Sequence, residues 1–157
     1  MKMKRSAGIL LFRRRAELLE VFLVHPGGPF WARKDAGVWT LPKGEYTEEE
    51  DALMAARREF LEETGAVAHG PFIPLGEVRQ PVKIVSGWAC EQDFDPTQLK
   101  SNFCEIEWPP RSGRRRQIPE VDRGEWFTVA AAREKIHPAQ AAFLTRLEEH
   151  LERPPVA

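Results

Sequence analysis

Apolar residues gather first at 7–12 and again at 18–25, with the charged stretch 13–17 between them. Two short apolar runs joined by a polar segment predict neighbouring strands of a hairpin. Arg13, Arg14 and Arg15 are then expected on its solvated turn. Residues 25–37 carry Pro26, Gly27, Gly28 and Pro29 and predict a loop. Residues 38–41 read as a short strand ending at Pro42.

The pattern then changes period. Thr47, followed three residues on by Glu50, has the form of a capping box, with acids filling the first turn. Residues 51–64 are rich in helix formers, and Leu53, Ala56 and Phe60 share one face. Gly65 is a natural residue to end the helix. Residues 72–80, 83–92 and 102–108 predict strands, 109–119 a loop and 125–129 a last short strand. Residues 130–135 and 138–151 predict C-terminal helices, the second facing inward with Phe143, Leu144 and Leu147. The elements predict an α/β (α+β) sandwich. It is expected to be one domain over 1–152 with a frayed tail at 153–157.

Composition narrows the class. Lys plus Arg is 23 and Asp plus Glu is 24, a formal net charge of −1. That balance argues against a general nucleic-acid or membrane-surface binder. Two cysteines, Cys90 and Cys104, cannot build a disulfide framework, and no CxxC spacing exists for a structural zinc site. The N-terminal apolar run stops at the arginines, too short for a signal segment, and no stretch approaches membrane-spanning length. A soluble, cytoplasmic protein is expected.

The charges are unevenly placed. Residues 44–65 hold eight acids against two arginines, Arg57 and Arg58, so the remainder of the chain is basic. On a helix, Glu59 reaches Glu62 and Glu63 at three- and four-residue spacing, so all three carboxylates project from one side. They lie near the negative end of the helix dipole, where a counter-charge is needed. Such a group suits a hard divalent cation; a solvated charged face is the plain alternative.

The spacing favours the cation. Gly44, five residues, Glu50, seven residues, then Arg58-Glu59-Phe60-x-Glu62-Glu63-x-Gly65 resembles the Nudix box. The departure is Ala66, where a larger aliphatic is usual. The resemblance implies a mixed β-sheet between the box helix and a C-terminal helix. It also implies hydrolysis of a nucleoside diphosphate linked to another moiety. Glu59, Glu62 and Glu63 would serve Mg2+ or Mn2+, with the Gly44 carbonyl as a main-chain ligand. Glu50 and Arg58 would pair to hold the loop against the helix, and Gly65 would end it. Glu120, six residues before Trp126, is expected to be an extra ligand or the base. Glu59, Glu62 and Glu120 are thus the expected catalytic acids. Glu105 and Glu107 are weaker candidates. A homodimer is compatible with the resemblance.

Substrate clues lie beside the box. Lys43, in LPKG, resembles the variant found in diadenosine polyphosphate and diphosphoinositol polyphosphate hydrolases, and its point charge suits a substrate phosphate. Arg111, Arg114, Arg115 and Arg116 could reach a long polyphosphate or lie on a solvated loop. Phe30, Trp31 and Trp39 flank the glycine-rich loop, one to stack on a base or all to pack. The expected partner is a small-molecule nucleoside polyphosphate, with a dinucleoside polyphosphate preferred, and no nucleic acid. A housecleaning nucleoside triphosphate pyrophosphatase and a non-catalytic nucleotide-sensing module are the alternatives.

Overall fold

A computed structural model describes residues 3–152; the tail expected at 153–157 lies outside the described residues. The two N-terminal runs form β1 (Lys4–Arg15) and β2 (Leu18–Pro26), paired antiparallel from Phe12↔Val21 to Arg15↔Leu18. The three arginines therefore belong to the strand and not to the turn. The turn is Ala16 and Glu17, with φ of 50° and 68°, the positive values that a two-residue hairpin of type I′ requires. Arg13 is accommodated by ion pairs to Glu20 (2.8 Å) and Asp93 (2.7 Å) and lies over the Trp126 ring.

Strands β3 (Lys43–Tyr46), β4 (Ile73–Gln80), β5 (Lys83–Glu91) and β8 (Val121–Thr128) complete a mixed sheet. Its order is β4-β5-β1-β2-β8, with β5 parallel to β1 and the other pairings antiparallel. One edge of β1 is shared: β2 holds it at 12–15, and β3 holds it at 5–8. Between them β2 peels away and Val24 bridges to Thr40 instead. Residues 38–41, expected as a strand, make only such isolated bridges. The gap opened by this split is where the functional cleft forms.

Alternation along β1 sorts the core into two layers. Ala7, Ile9 and Leu11 pack with Ala55, Ala56 and Phe60 of helix α1 (Ala52–Thr64). Leu10 and Phe12 pack on the opposite face with Ala132 of α2 (Val129–Lys135) and with Phe143, Leu144 and Leu147 of α3 (Ala141–Glu152). Each fully buried Leu or Phe contributes roughly 1.5–3 kcal/mol. The α/β/α sandwich expected from the sequence is present, and none of the helices among the described residues is long and apolar enough to cross a membrane.

Three boundaries differ from expectation. α1 is capped by Asp51, whose carboxylate accepts the Met54 N–H at 3.1 Å, and not by Thr47. Gly65, at φ 83°, ends it. The stretch 109–119 is not all loop: β7 (Arg115–Pro119) pairs with β6 (Phe103–Glu107) in a separate two-stranded arm. The last strand starts at Val121, ahead of residue 125, because β2 extends far enough to pair with it.

Candidate active site

Strand alternation places neighbouring residues of β3 on opposite faces. Gly44 pairs with Ala7, on the α1 side, and Lys43 pairs with Gly8, on the α3 side. The Glu59 carboxylate lies against the bare backbone of Gly44, where a Cβ would stand 2.0 Å from Glu59 Cδ. One turn later on α1, Glu63 is buried and its Oε1 accepts the Lys43 backbone N–H at 3.3 Å. Helix and strand are thereby joined through two glutamates.

Arg58 organises the acids on the outer side. Its guanidinium grips Glu50 with two hydrogen bonds (2.8 and 3.0 Å) and also donates to Glu59 (2.8 Å) and Glu62 (3.3 Å). A planar fork can serve several carboxylates at once, which an ammonium cannot. Glu50 lies outside α1, in the turn that precedes the Asp51 cap.

Lys43, Gly44, Glu59, Glu62, Glu63 and Glu120 line one cleft of about 760 Å³. Glu120 arrives from the junction of β7 and β8. There its N–H donates to the Asn102 carbonyl (2.9 Å) and its own carbonyl accepts from Gly27 (3.0 Å). Burial raises the Glu59 pKa; Arg58 opposes this, while the charges of Glu62 and Glu120 add to it. Burial pushes Glu63 up to about 8, with Glu59 and Glu120 adding and Lys43 opposing. Lys43 is pushed down to about 8, first by burial and then by Lys83. Glu120 also abuts the thiol of Cys104, whose pKa is raised by burial and by that carboxylate.

Other expected residues lie elsewhere. Glu105 pairs with Arg115 (3.6 Å) and Glu107 accepts the Arg111 N–H (2.6 Å), both on the two-stranded arm. Neither they nor Arg111, Arg114, Arg115 and Arg116 line the cleft. Trp39 is buried in the core and Phe30 is exposed, while Trp31 stands on the cleft rim. Ser6, Lys83 and Gln140 also line the cleft. No local motif marks them; strand register brings in Ser6 and Lys83, and the turn before α3 brings in Gln140.

Among the described residues, no three acidic, His or Cys side chains already stand close enough to enclose an ion. Arg58 pairs with Glu59 and Glu62, and the Lys43 N–H holds Glu63. The donor set nevertheless fits a hard divalent cation: four carboxylates and a main-chain carbonyl, all oxygen. Burial and mutual repulsion disfavour the charged forms of Glu59 and Glu63, an excess of negative charge that a cation compensates.

Residues 2–147 match the family model described as NUDIX domain. The chain belongs to the Nudix family and is a pyrophosphate hydrolase of that family, acting on phosphorus-containing acid anhydrides. No curated protein is similar enough to this chain to count as a match. Among solved structures, the fold is similar to a Caenorhabditis elegans Ap4A hydrolase binary complex (TM-score 0.65, 21% identity, 95% of this chain and 98% of that one). It is also similar to the NUDIX domain of Shewanella oneidensis NrtR complexed with ADP ribose (TM-score 0.67, 17% identity, 96% and 90%). A MutT protein from Methanosarcina mazei Go1 is a third such structure (TM-score 0.62, 18% identity, 97% of each chain).

Proposed function

We propose that the chain is a divalent-metal-dependent hydrolase that cuts a phosphoanhydride bond of a nucleoside polyphosphate, with dinucleoside polyphosphates the favoured class. The observation that carries this reading is the seating of Glu59 on Gly44, beside the buried Glu63, in the cleft that also holds Lys43. Glu59, Glu62, Glu63, Glu120 and the Gly44 carbonyl are the residues that would hold Mg2+ or Mn2+. Such a cation, when bound, neutralises phosphate charge and lowers the pKa of water. The chain's own groups do the rest. Lys43 holds a non-bridging phosphate oxygen as a point charge. Arg58 positions Glu59 and Glu62. Glu59, Glu62 or Glu120 accepts the proton of the attacking water.

The similarity in fold to the C. elegans Ap4A hydrolase supports the dinucleoside class. The similarity to the NrtR domain complexed with ADP ribose supports a second substrate class, a nucleoside diphosphate linked to another moiety. A third, a housecleaning nucleoside triphosphate pyrophosphatase, shares the same cleft. A panel of dinucleoside polyphosphates, nucleoside triphosphates and ADP ribose separates all three. Each is incubated with Mg2+ or with EDTA, and the phosphate products are resolved. Mg2+-dependent cleavage, fastest with a dinucleoside polyphosphate, is expected. Faster cleavage of ADP ribose would favour the second class.

A further inference from the structure

Glu120 reaches the cleft from outside α1, and its own side chain does little to hold it there. Among the described residues, the hydrogen-bonding neighbour of its carboxylate is the Cys104 thiol, a weak donor. Its backbone is tied instead, by a strap of three residues, 100–102. The strap runs from Leu99, which packs on the α1 side of the core, to the start of β6.

On one side the strap closes α1. The last carbonyls of a helix have no partner within it. Here the Lys100 N–H donates to the Thr64 carbonyl (2.9 Å), and the Asn102 N–H donates to the Glu62 carbonyl (2.8 Å). On the other side the strap receives the start of β8. The Asn102 carbonyl accepts the Glu120 N–H (2.9 Å), and Ser101 Oγ accepts the Val121 N–H (3.0 Å). The same hydroxyl donates its proton to the Asn102 carbonyl (2.9 Å). A hydroxyl can accept and donate at once, and a carbonyl has two lone pairs, so the ring of bonds is complete.

The backbones of Glu62 and Glu120 are thereby linked through Asn102. The peptide that joins Glu120 to Val121 is held on both sides: Gly27 donates to its carbonyl (3.0 Å), and Ser101 accepts from its N–H. Val121 is buried, so that N–H depends on a protein acceptor. Loss of the Ser101 hydroxyl leaves the peptide held on one side. Asn102 acts through its main chain, which substitution leaves in place; Ser101 acts through its side chain.

We propose that Ser101 is a positioning residue of the active site: its hydroxyl clamps the Glu120–Val121 peptide to the strap on α1 and so sets where the Glu120 carboxylate stands relative to Glu62. Its part in turnover rests on the hydrolase reading above; its effects on cation binding and on the Val121 amide do not.

A double-mutant cycle separates positioning from a merely structural role. Mn2+ affinity by isothermal titration, and kcat and KM with Mg2+, are measured on the wild type, Ser101→Ala, Glu120→Gln and the double variant, with folding checked by circular dichroism. Ser101→Ala is expected to weaken Mn2+ binding and to lower kcat, each about tenfold, within the loss that a misplacement of 1 Å produces, while KM changes less. Added to Glu120→Gln it should cause no further loss in either, because no carboxylate is left to position. Unchanged affinity and kcat in Ser101→Ala, or losses that add in full to those of Glu120→Gln, would overturn the proposal. Amide exchange in EDTA gives a reading without metal or substrate: the Val121 N–H should be protected in the wild type and exchange faster in Ser101→Ala. An unprotected Val121 amide in the wild type would overturn the clamp whether or not a variant folds. Ser101→Cys, close in size, takes the place of Ser101→Ala in the cycle if the latter does not fold. If no nucleotide is hydrolysed with Mg2+ but the Mn2+ cycle is non-additive, the hydrolase reading falls and the clamp stands; Mg2+-dependent turnover with additive losses gives the reverse.

Discussion

The carboxylate of Glu59 occupies the space where a side chain on Gly44 would begin, with 2.0 Å between that Cβ position and Glu59 Oε2. A methyl group at 44 must displace the glutamate, which is otherwise held only by Arg58. Gly44→Ala is expected to lower turnover by about 10²-fold, the order of loss produced by a 1 Å misplacement. The thermal midpoint should move little, because a side chain can swing where backbone cannot. Steady-state hydrolysis and circular dichroism check both, and wild-type turnover would show that the contact has no functional weight.

Arg58→Lys keeps the charge and loses the fork. Only one or two of the four hydrogen bonds to Glu50, Glu59 and Glu62 can be remade. The pairs are partly exposed, so the stability loss should be small, about 1 kcal/mol. The loss in kcat should exceed what that figure alone would suggest, because Glu59 and Glu62 lose their orientation. Paired urea titrations and kinetics test this; equal kcat in the two proteins would sink the positioning role.

The raised carboxylates make a pH prediction for the metal-free protein. Glu63 has a folded pKa of about 8 against an ordinary value of 4.5, and Glu59 is shifted in the same direction. Raised acids contribute stability that is fully present below their unfolded value and lost as pH rises through the folded one. Urea titrations in EDTA from pH 5 to 8 should show the wild type losing stability relative to Glu63→Gln across this window. Mg2+ should reverse the loss and release protons on binding. Asp35 and Asp93 act in the opposite sense: both pKa values are lowered, by Lys135 and by Arg13 respectively, and their contribution disappears on acidification below 3.8. Parallel profiles for wild type and Glu63→Gln would contradict the burial of that acid.

His25 is fully buried and joins the loop at 27–37 to β8. Its imidazole reaches the Asp122 carboxylate at 2.9 Å and the Lys34 carbonyl at 2.6 Å. His25→Ala orphans both partners, with an expected destabilisation of about 2–3 kcal/mol. Chemical denaturation would show it, and KM should rise because Trp31 on that loop lines the rim. A loss under 0.5 kcal/mol would mean that the loop is held by other contacts.

The layers were legible because they follow period and caps. The runs at 7–12 and 18–25, the α1 face with Phe60, and Gly65 all read directly. The hairpin turn was not, since Ala16 and Glu17 carry none of the Gly or Asn that positive φ usually demands. β7 was hidden because Arg115, Arg116 and Gln117 are all exposed and show no alternation; only Ile118 and Pro119 at its end are half-buried. Thr47 and Asp51 are equally good caps by type; in the structure Asp51 takes the Met54 N–H, while Glu50 pairs with Arg58 ahead of the helix. The glutamates lay in one local motif. Ser6, Lys83 and Gln140 are scattered singles that become neighbours only through the β1–β5 register and the packing of α3.

In the proposed function, the buried carboxylates beside Gly44 serve metal-dependent cleavage of a phosphoanhydride. The most direct test is Mg2+-dependent turnover of a dinucleoside tetraphosphate by wild type and Glu63→Gln, with folding checked by circular dichroism. The wild type should hydrolyse it with Mg2+ and not with EDTA. Folded Glu63→Gln should lose roughly 10²-fold or more, on the scale of removing one transition-state-stabilising group. Full turnover in Glu63→Gln, or equal wild-type turnover in EDTA, would contradict the account.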